Sequence, residues 1–405
     1  MTSTTSSSRW APRPGCAWPR NGWPGRRRPR PPRKRPAEPV AGRSLNPSEF
    51  FAQSYAEARL KFLAAADAAG LVVQSHRHPL LGRDGEALAM DVARHGAIDA
   101  PGLLIVSSAC HGVEGFCGSG VQNALLADTG FHAAAAQAGV SVLYLHALNP
   151  WGFSWLRRTT HENVDLNRNW HDFNRPLPRN AGYDEIAHWL VPATWPPAPE
   201  AEAGLAAYAE RHGERGLQTA ISAGQHEYPE GLFYGGRNPT WSQQTLRHVL
   251  QEHATRCTRL GWIDLHTGLG PSGHGERICA CRDEAAALQR ARAWWGPQVT
   301  SIYDGSSASA LLTGLMWSAA YEEAPQAEYT GIALEYGTVP LNEVVHALRA
   351  DQWLENHPET AAERRDAIKR QVRDAFYTDT DAWKQRIVEQ GLEAARQALA
   401  GLART

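Results

Sequence analysis

Four short, nearly uninterrupted apolar runs mark the chain: Gly102-Leu-Leu-Ile-Val-Ser107, Val140-Ser-Val-Leu-Tyr-Leu145, Leu260-Gly-Trp-Ile-Asp-Leu265 and Gly331-Ile-Ala-Leu-Glu335. Runs of this length bounded by turn residues suit strands covered on both faces. Helical patterns lie around Gly120 to Ala127, at 241–257, 283–295 and 341–355, and in a long Ala/Arg/Glu-rich region from 359 to 403. Upstream, Asn46-Pro47-Ser48 reads as the cap-like start of an Ala-rich helix through about Ala69. Strands alternating with helices predict an α/β fold over residues 45–405: a single domain with a mostly parallel, mixed central sheet flanked by helices. Residues 172–240, rich in Pro, Gly and Trp, read as an insertion or loops near the site.

Composition narrows this picture. At 405 residues the length alone allows two to three domains, while 42% hydrophobic and 20% charged residues are ordinary soluble globular values. No run approaches eighteen apolar residues, which excludes a membrane-spanning helix. The formal net charge of −1 conceals two unlike parts. Residues 1–43 carry eleven Arg or Lys, nine prolines and one acid, Glu38, a net of +10, so the rest of the chain stands at −11. Proline and clustered like charge prevent a core, so residues 1–44 are expected to be a disordered Arg/Pro-rich tail. The tail is no secretory signal, since more proline and no apolar run follows its basic cluster. An Arg-Pro run can neutralise phosphates, but nothing aromatic or structured is spaced to read bases. A solvated tail, or translated sequence upstream of the true start, is therefore favoured over nucleic-acid binding. Six cysteines (16, 110, 117, 257, 279 and 281) form no paired framework, which points to a reducing cytoplasm. Cys279-Arg-Cys281 reads better as alternation on a strand than as a soft-metal site.

Polar residues follow each of the four runs, where ligands bind in open α/β sheets. After the first comes His111-Gly-Val-Glu114; after the second, a loop leading to Asp165-Leu-Asn-Arg-Asn-Trp170; after the third, His266; at the end of the fourth, Glu335. Two histidines and a carboxylate are the ligand set of a catalytic zinc with an open fourth position. The His-x-x-Glu spacing sets two donors one turn apart, and His266 fits as the third ligand, from its own strand end. Asp264 shares a strand face with His266 and can buttress it. Alone, His-x-x-Glu is a weak signal; four elements at four strand ends in one order are a stronger one.

That order, together with Val164-Asp-Leu-Asn-Arg-Asn-Trp170, resembles the zinc carboxypeptidase superfamily over roughly 101–345. The superfamily also contains the aspartoacylase and succinylglutamate desuccinylase type deacylases. The form most resembled is a bacterial branch catalogued as a domain of unknown function. The resemblance implies zinc on His111, Glu114 and His266, Glu335 as general base, and Asn167 with Arg168 as a clamp on a substrate carboxylate. It also implies that Asp165 orients His111, and that an arginine stabilises the oxyanion, with Arg158 preferred over Arg157. Each role has a physical reason: zinc lowers the pKa of water, a carboxylate moves the proton, and Arg grips a carboxylate bidentately. No tyrosine clearly takes the family's proton-donor place, with Tyr303, Tyr321 and Tyr329 all open. Glu335-Tyr-Gly-Thr-Val-Pro and Asn149-Pro150 lie closer to the deacylase pattern.

The expected function is a zinc hydrolase acting on an amide beside a free carboxylate, a carboxypeptidase-type peptidase ahead of an N-acyl amino acid deacylase. Its partner would be a peptide or N-acyl amino acid with a free carboxylate. A cysteine hydrolase using Cys110 or Cys117 would leave Glu114 and Glu335 without a task. A metal-free binding protein on a peptidase-like fold is the third class, and it predicts absent zinc.

Overall fold

The computed structural model describes residues 46–404; the expected Arg/Pro-rich tail, 1–44, lies outside the described residues. The chain runs α1 (Tyr55–Ala68), β1 (Val73–Leu81), β2 (Ala87–His95), β3 (Gly102–Ser108), α2 (Gly115–Ala127), α3 (Thr129–Gln137), β4 (Val140–His146) and α4 (Pro150–Ser154). It continues through α5 (Ala181–Leu190), α6 (Pro199–Ser222), α7 (Trp241–His253), β5 (Arg259–Ser272), β6 (Gly275–Cys279), α8 (Ala285–Trp295) and α9 (Ala319–Glu323). It ends with β7 (Glu328–Gly337), α10 (Leu341–Glu355), α11 (Ala362–Phe376) and α12 (Asp381–Ala403).

Among the described residues the strands form one sheet in the order β1-β2-β4-β3-β5-β7-β6. The four strands expected from apolar runs are its parallel centre, β4-β3-β5-β7. Every residue of β3 and β4 is buried, as a strand covered on both faces requires. The strands the apolar pattern missed are the antiparallel ones, β1, β2 and β6. β1 exposes most of its residues, and β6 is a five-residue edge strand, so neither carries a continuous apolar run. Antiparallel strands need only one covered face.

Three boundaries also differ from expectation. Asn46 caps only a single 3-10 turn, Pro47–Phe50, and α1 begins at Tyr55 behind its own cap, Ser54. The region 359–403 is two helices, because Thr380 caps a new start after the break at Tyr377. Residues 172–240 are not loops alone: they contain α5 and α6, whose Tyr183, Ile186, Leu190 and Leu205 share an apolar cluster with α10 and α11. The main core lies around the sheet, with α1, α2, α7, α8 and α12 contributing to it.

Candidate metal centre

The site begins where β3 stops. Ala109 takes a left-handed φ of 56°, and the chain turns through His111 into the 3-10 turn Gly112–Glu114 before α2. A Cβ on Gly112 would come within 2.1 Å of the Gly152 carbonyl carbon, so this close approach to α4 requires glycine. The turn is tied to the loop after α4: Gly112 N–H donates to the Arg158 carbonyl (3.1 Å) and Val113 N–H to that of Arg157 (2.9 Å). Asn149 caps α4 and its amide donates to the same Arg158 carbonyl (3.3 Å). On the neighbouring parallel strands, His266 and Glu335 are direct register partners.

His111, Glu114 and His266 come together with their ligand atoms within 4.8 Å of one another, all buried. Glu114 Oε1 lies 2.8 Å from His111 Nδ1, and Oε2 lies 3.0 Å from His266 Nδ1. The two Nδ1 atoms are 3.2 Å apart. Two nitrogens bound to one tetrahedral zinc at ~2.0–2.1 Å stand about 3.3 Å apart. Behind each imidazole stands an aspartate: Asp165 Oδ1 is 3.2 Å from His111 Nε2, and Asp264 Oδ2 is 2.6 Å from His266 Nε2. Asp264 sets the His266 tautomer that leaves Nδ1 free to bind an ion, whereas His111 Nε2 is shared between Asp165 and an Arg158 N–H. Donor type and spacing thus fit a divalent metal.

Burial and the nearby Glu114 push the Glu335 carboxyl up to about 8, so it can hold or release a proton near neutrality. Burial resists charge on His266, but Asp264 and Glu114 hold its proton well above the usual histidine range, and a bound ion would have to displace that proton from Nδ1. Glu114 and Asp165 are also desolvated, yet both stay well below the carboxylate range, Glu114 beside His111 and His266 and Asp165 beside Arg158 and His111. Arg158 completes the cluster, with Nη2 2.8 Å from His111 Nε2, Nη1 3.1 Å from Glu114 Oε1 and Nε 2.9 Å from Asp165 Oδ2. Arg157 turns the other way and pairs with Asp351 at 3.0 Å.

Asn167 and Arg168 line the same cavity as the three donors and Glu335. Asn167 Oδ1 accepts from Met316 N–H (2.9 Å). The Arg168 fork is occupied: Nε and Nη2 donate to the Ser222 carbonyl (2.9 and 2.7 Å), and Nη1 to that of Asn167 (2.8 Å). Burial lowers its pKa to about 10. Among the described residues no tyrosine lines the cavity, Tyr303, Tyr321 and Tyr329 included. Cys110 and Cys117 lie outside its lining too, and burial pushes both thiols well above their ordinary value. Neither arrangement supports a cysteine nucleophile.

The apolar and strand-end patterns did not reveal the places of Phe233 and Ser107. Phe233 lies beneath both arginines, 5.0 Å from the Arg158 guanidinium and 5.4 Å from that of Arg168. Ser107 Oγ donates to Asp264 Oδ1 (2.6 Å) and accepts from Trp262 Nε1 (2.7 Å), a buried chain ending at His266. Ser107 carried one signal, a hydroxyl at the polar end of an apolar run. Phe233 carried none, because it arrives from the 172–240 segment.

Solved structures similar to this chain include carboxypeptidase A from Helicoverpa armigera, at 14% identity over 80% of this chain and 74% of that one (TM-score 0.36). A metallo-carboxypeptidase from Burkholderia cenocepacia is 12% identical over 82% and 71% (TM-score 0.38). Thrombin activatable fibrinolysis inhibitor is 10% identical over 85% and 76% (TM-score 0.44). Similarity at this depth says nothing of reaction or substrate. No curated protein matches the sequence. Fold and site define an α/β protein with a candidate two-histidine, one-carboxylate metal centre at the carboxyl end of a parallel sheet core. The chain belongs to the family described as "Protein of unknown function (DUF2817)", which matches residues 51–390.

Proposed function

We propose that this chain is a zinc-dependent hydrolase that cleaves an amide bond beside a free carboxylate, with a carboxypeptidase-type peptidase as the first reading. The observation that carries it is the meeting of His111 Nδ1, His266 Nδ1 and Glu114, each imidazole backed by its own aspartate. His111, Glu114 and His266 would hold the ion, which when bound supplies a Lewis acid and lowers the pKa of water.

The remaining steps belong to this chain's side chains. Glu335, the register partner of His266, takes a proton from the attacking water and returns it to the leaving amine. Arg158 donates to the oxygen on which negative charge develops, a role favoured by its low-dielectric surroundings. Asn167 and Arg168 orient the substrate carboxylate, Arg168 through the N–H groups not engaged by the Ser222 and Asn167 carbonyls. Asp165 and Asp264 hold the imidazoles in one tautomer. The Asn149-Pro150 cap and the Tyr-Gly sequence after Glu335 favour the N-acyl amino acid deacylase as the second reading.

The five cysteines among the described residues are buried and unpaired, which supports a cytoplasmic setting. No helix among those residues is long and apolar enough to cross a membrane. The test is a screen of metal-loaded protein against C-terminally free peptides and N-acyl amino acids, with and without chelator. Chelator-sensitive release of a C-terminal residue supports the peptidase, and release of an acyl group supports the deacylase. Absence of both, with no zinc retained after metal-replete expression, sinks the hydrolase reading in favour of a binding protein.

A further inference from the structure

The cavity reaching the three metal donors and Glu335 has a volume of 1260 Å³. Small-molecule sites typically span ~300–1,000 Å³, so a scissile amide and its carboxylate would occupy only a fraction of it. Two separate apolar clusters open onto this one space. Leu205, Ile221, Phe233, Val344, Leu348 and Phe376 belong to the cluster of the helical layer. Ile278, Ile302 and Leu315 belong to a smaller cluster beside β6 and β7.

Both clusters reach the chemistry. Ala333 precedes Glu335 by two residues and so faces the same side of β7, and Ile278 is its register partner. The smaller cluster therefore starts one pleat, about 7 Å, from the Glu335 position. In the larger cluster, Phe376 and Val344 border Gly268, two residues beyond His266, and Phe233 underlies Arg158.

The cations farther along the wall are committed elsewhere. Arg215 donates to the carbonyls of Ser307, Ala308 and Ser309. Arg349 pairs with Glu202 at 2.8 Å and donates to the Leu190 and Trp189 carbonyls. Away from Arg158 and Arg168, the arginines of the wall thus offer an acidic group little to bind, while an apolar group would leave water for two apolar surfaces.

We propose that the substrate carries a large apolar group beside the scissile amide, seated between these two clusters. This rests on the hydrolase reading. The same chemistry belongs to a medium-chain N-acyl amino acid and to a peptide ending in bulky apolar residues, which the experiment separates. Binding to the full-length, zinc-loaded Glu335→Gln variant is measured by calorimetry for N-acetyl-, N-hexanoyl- and N-decanoylglycine, and for Gly-Gly against Phe-Phe. Turnover of the same compounds is measured with the wild type. Affinity is expected to rise up to about fourfold per buried methylene until the space fills, and Phe-Phe to exceed Gly-Gly. The steeper of the two series identifies the source.

Ala206→Trp, at an exposed position of α6 on the cavity wall, is expected to shorten the longest chain that gains affinity. Affinities that stay flat across both series, or favour the shortest members, overturn the proposal. If amides are cleaved without dependence on apolar size, the apolar proposal fails and the hydrolase reading stands. If affinity climbs with size and nothing is cleaved, the hydrolase reading fails while the apolar cleft stands.

Discussion

Ser107→Ala tests whether the buried chain behind His266 orients a metal ligand. The hydroxyl bridges two groups, giving its proton to Asp264 Oδ1 (2.6 Å) and accepting from Trp262 Nε1 (2.7 Å). Ser107 and Trp262 are almost fully buried and Asp264 is 7% exposed, so little water can replace the lost oxygen. Each buried polar group left without a partner costs about 1–3 kcal/mol, so the metal-free protein should lose roughly 2–6 kcal/mol. At about 2 °C per kcal/mol for a chain of this size, the melting point falls by roughly 4–12 °C. Asp264 then loses the partner that aims its other oxygen at His266 Nε2. Loss of such outer partners weakens metal binding by about 10- to 100-fold. Competition with a chromophoric chelator measures the zinc affinity, and calorimetric scanning of the metal-free protein measures stability. Trp262→Phe is the control: it removes the indole donor but keeps Ser107 on Asp264, so stability should drop with zinc affinity nearly unchanged. If Ser107→Ala lowers the melting point and leaves zinc affinity at the wild-type value, the chain is structural only and the orienting argument fails.

Glu335→Gln should lower turnover by at least ~100-fold while the zinc content measured by mass spectrometry stays at the wild-type level; a variant that remains fully active removes Glu335 from the chemistry. Arg157→Met leaves buried Asp351 without one of its cations and should cost about 3–5 kcal/mol in denaturant titrations. Arg158→Met should instead depress turnover, and the opposite assignment would show that the two neighbours' roles are exchanged. Burial lowers His132, His146 and His171 to about 4, so between pH 6.5 and 4 the unfolded chain binds more protons than the folded one. The contribution of these three histidines to stability is therefore complete above about pH 6.5 and is lost as the pH falls toward 4, by at most ~1.4 kcal/mol per pH unit for each. Urea midpoints that do not move between pH 6.5 and 4.5 would contradict this. Deleting residues 1–43 should leave zinc content and turnover unchanged, because every proposed site residue lies downstream; loss of either would give the tail a role.

Much of the site is legible in the sequence because its residues sit where buried parallel strands end. A strand covered on both faces must be continuously apolar, so β3, β4, β5 and β7 announce themselves, and polar residues just beyond them stand out. His111, Glu114, His266, Asp264 and Glu335 follow from that pattern, and the resemblance carried by Asp165 to Trp170 adds the rest. Antiparallel strands leave no such trace when one face meets water, as in β1, or the strand is short, as in β6; β2 is buried on both faces, but Asp91 interrupts its apolar run. Between the adjacent arginines, spacing favours Arg158, and the packing of the Arg158 loop against the Gly112 turn sends its guanidinium to His111 and that of Arg157 to Asp351. Likewise only the tertiary structure brings Phe233 beneath the arginines, ties up the Arg168 fork on Ser222, and opens two apolar clusters onto the metal donors. Those contacts join residues distant in the chain, and no local period of apolar and polar positions encodes where separate segments meet. Residue types at strand ends carry the proposed chemistry; the shape of the space around them was decided by how the helical layer packs over them.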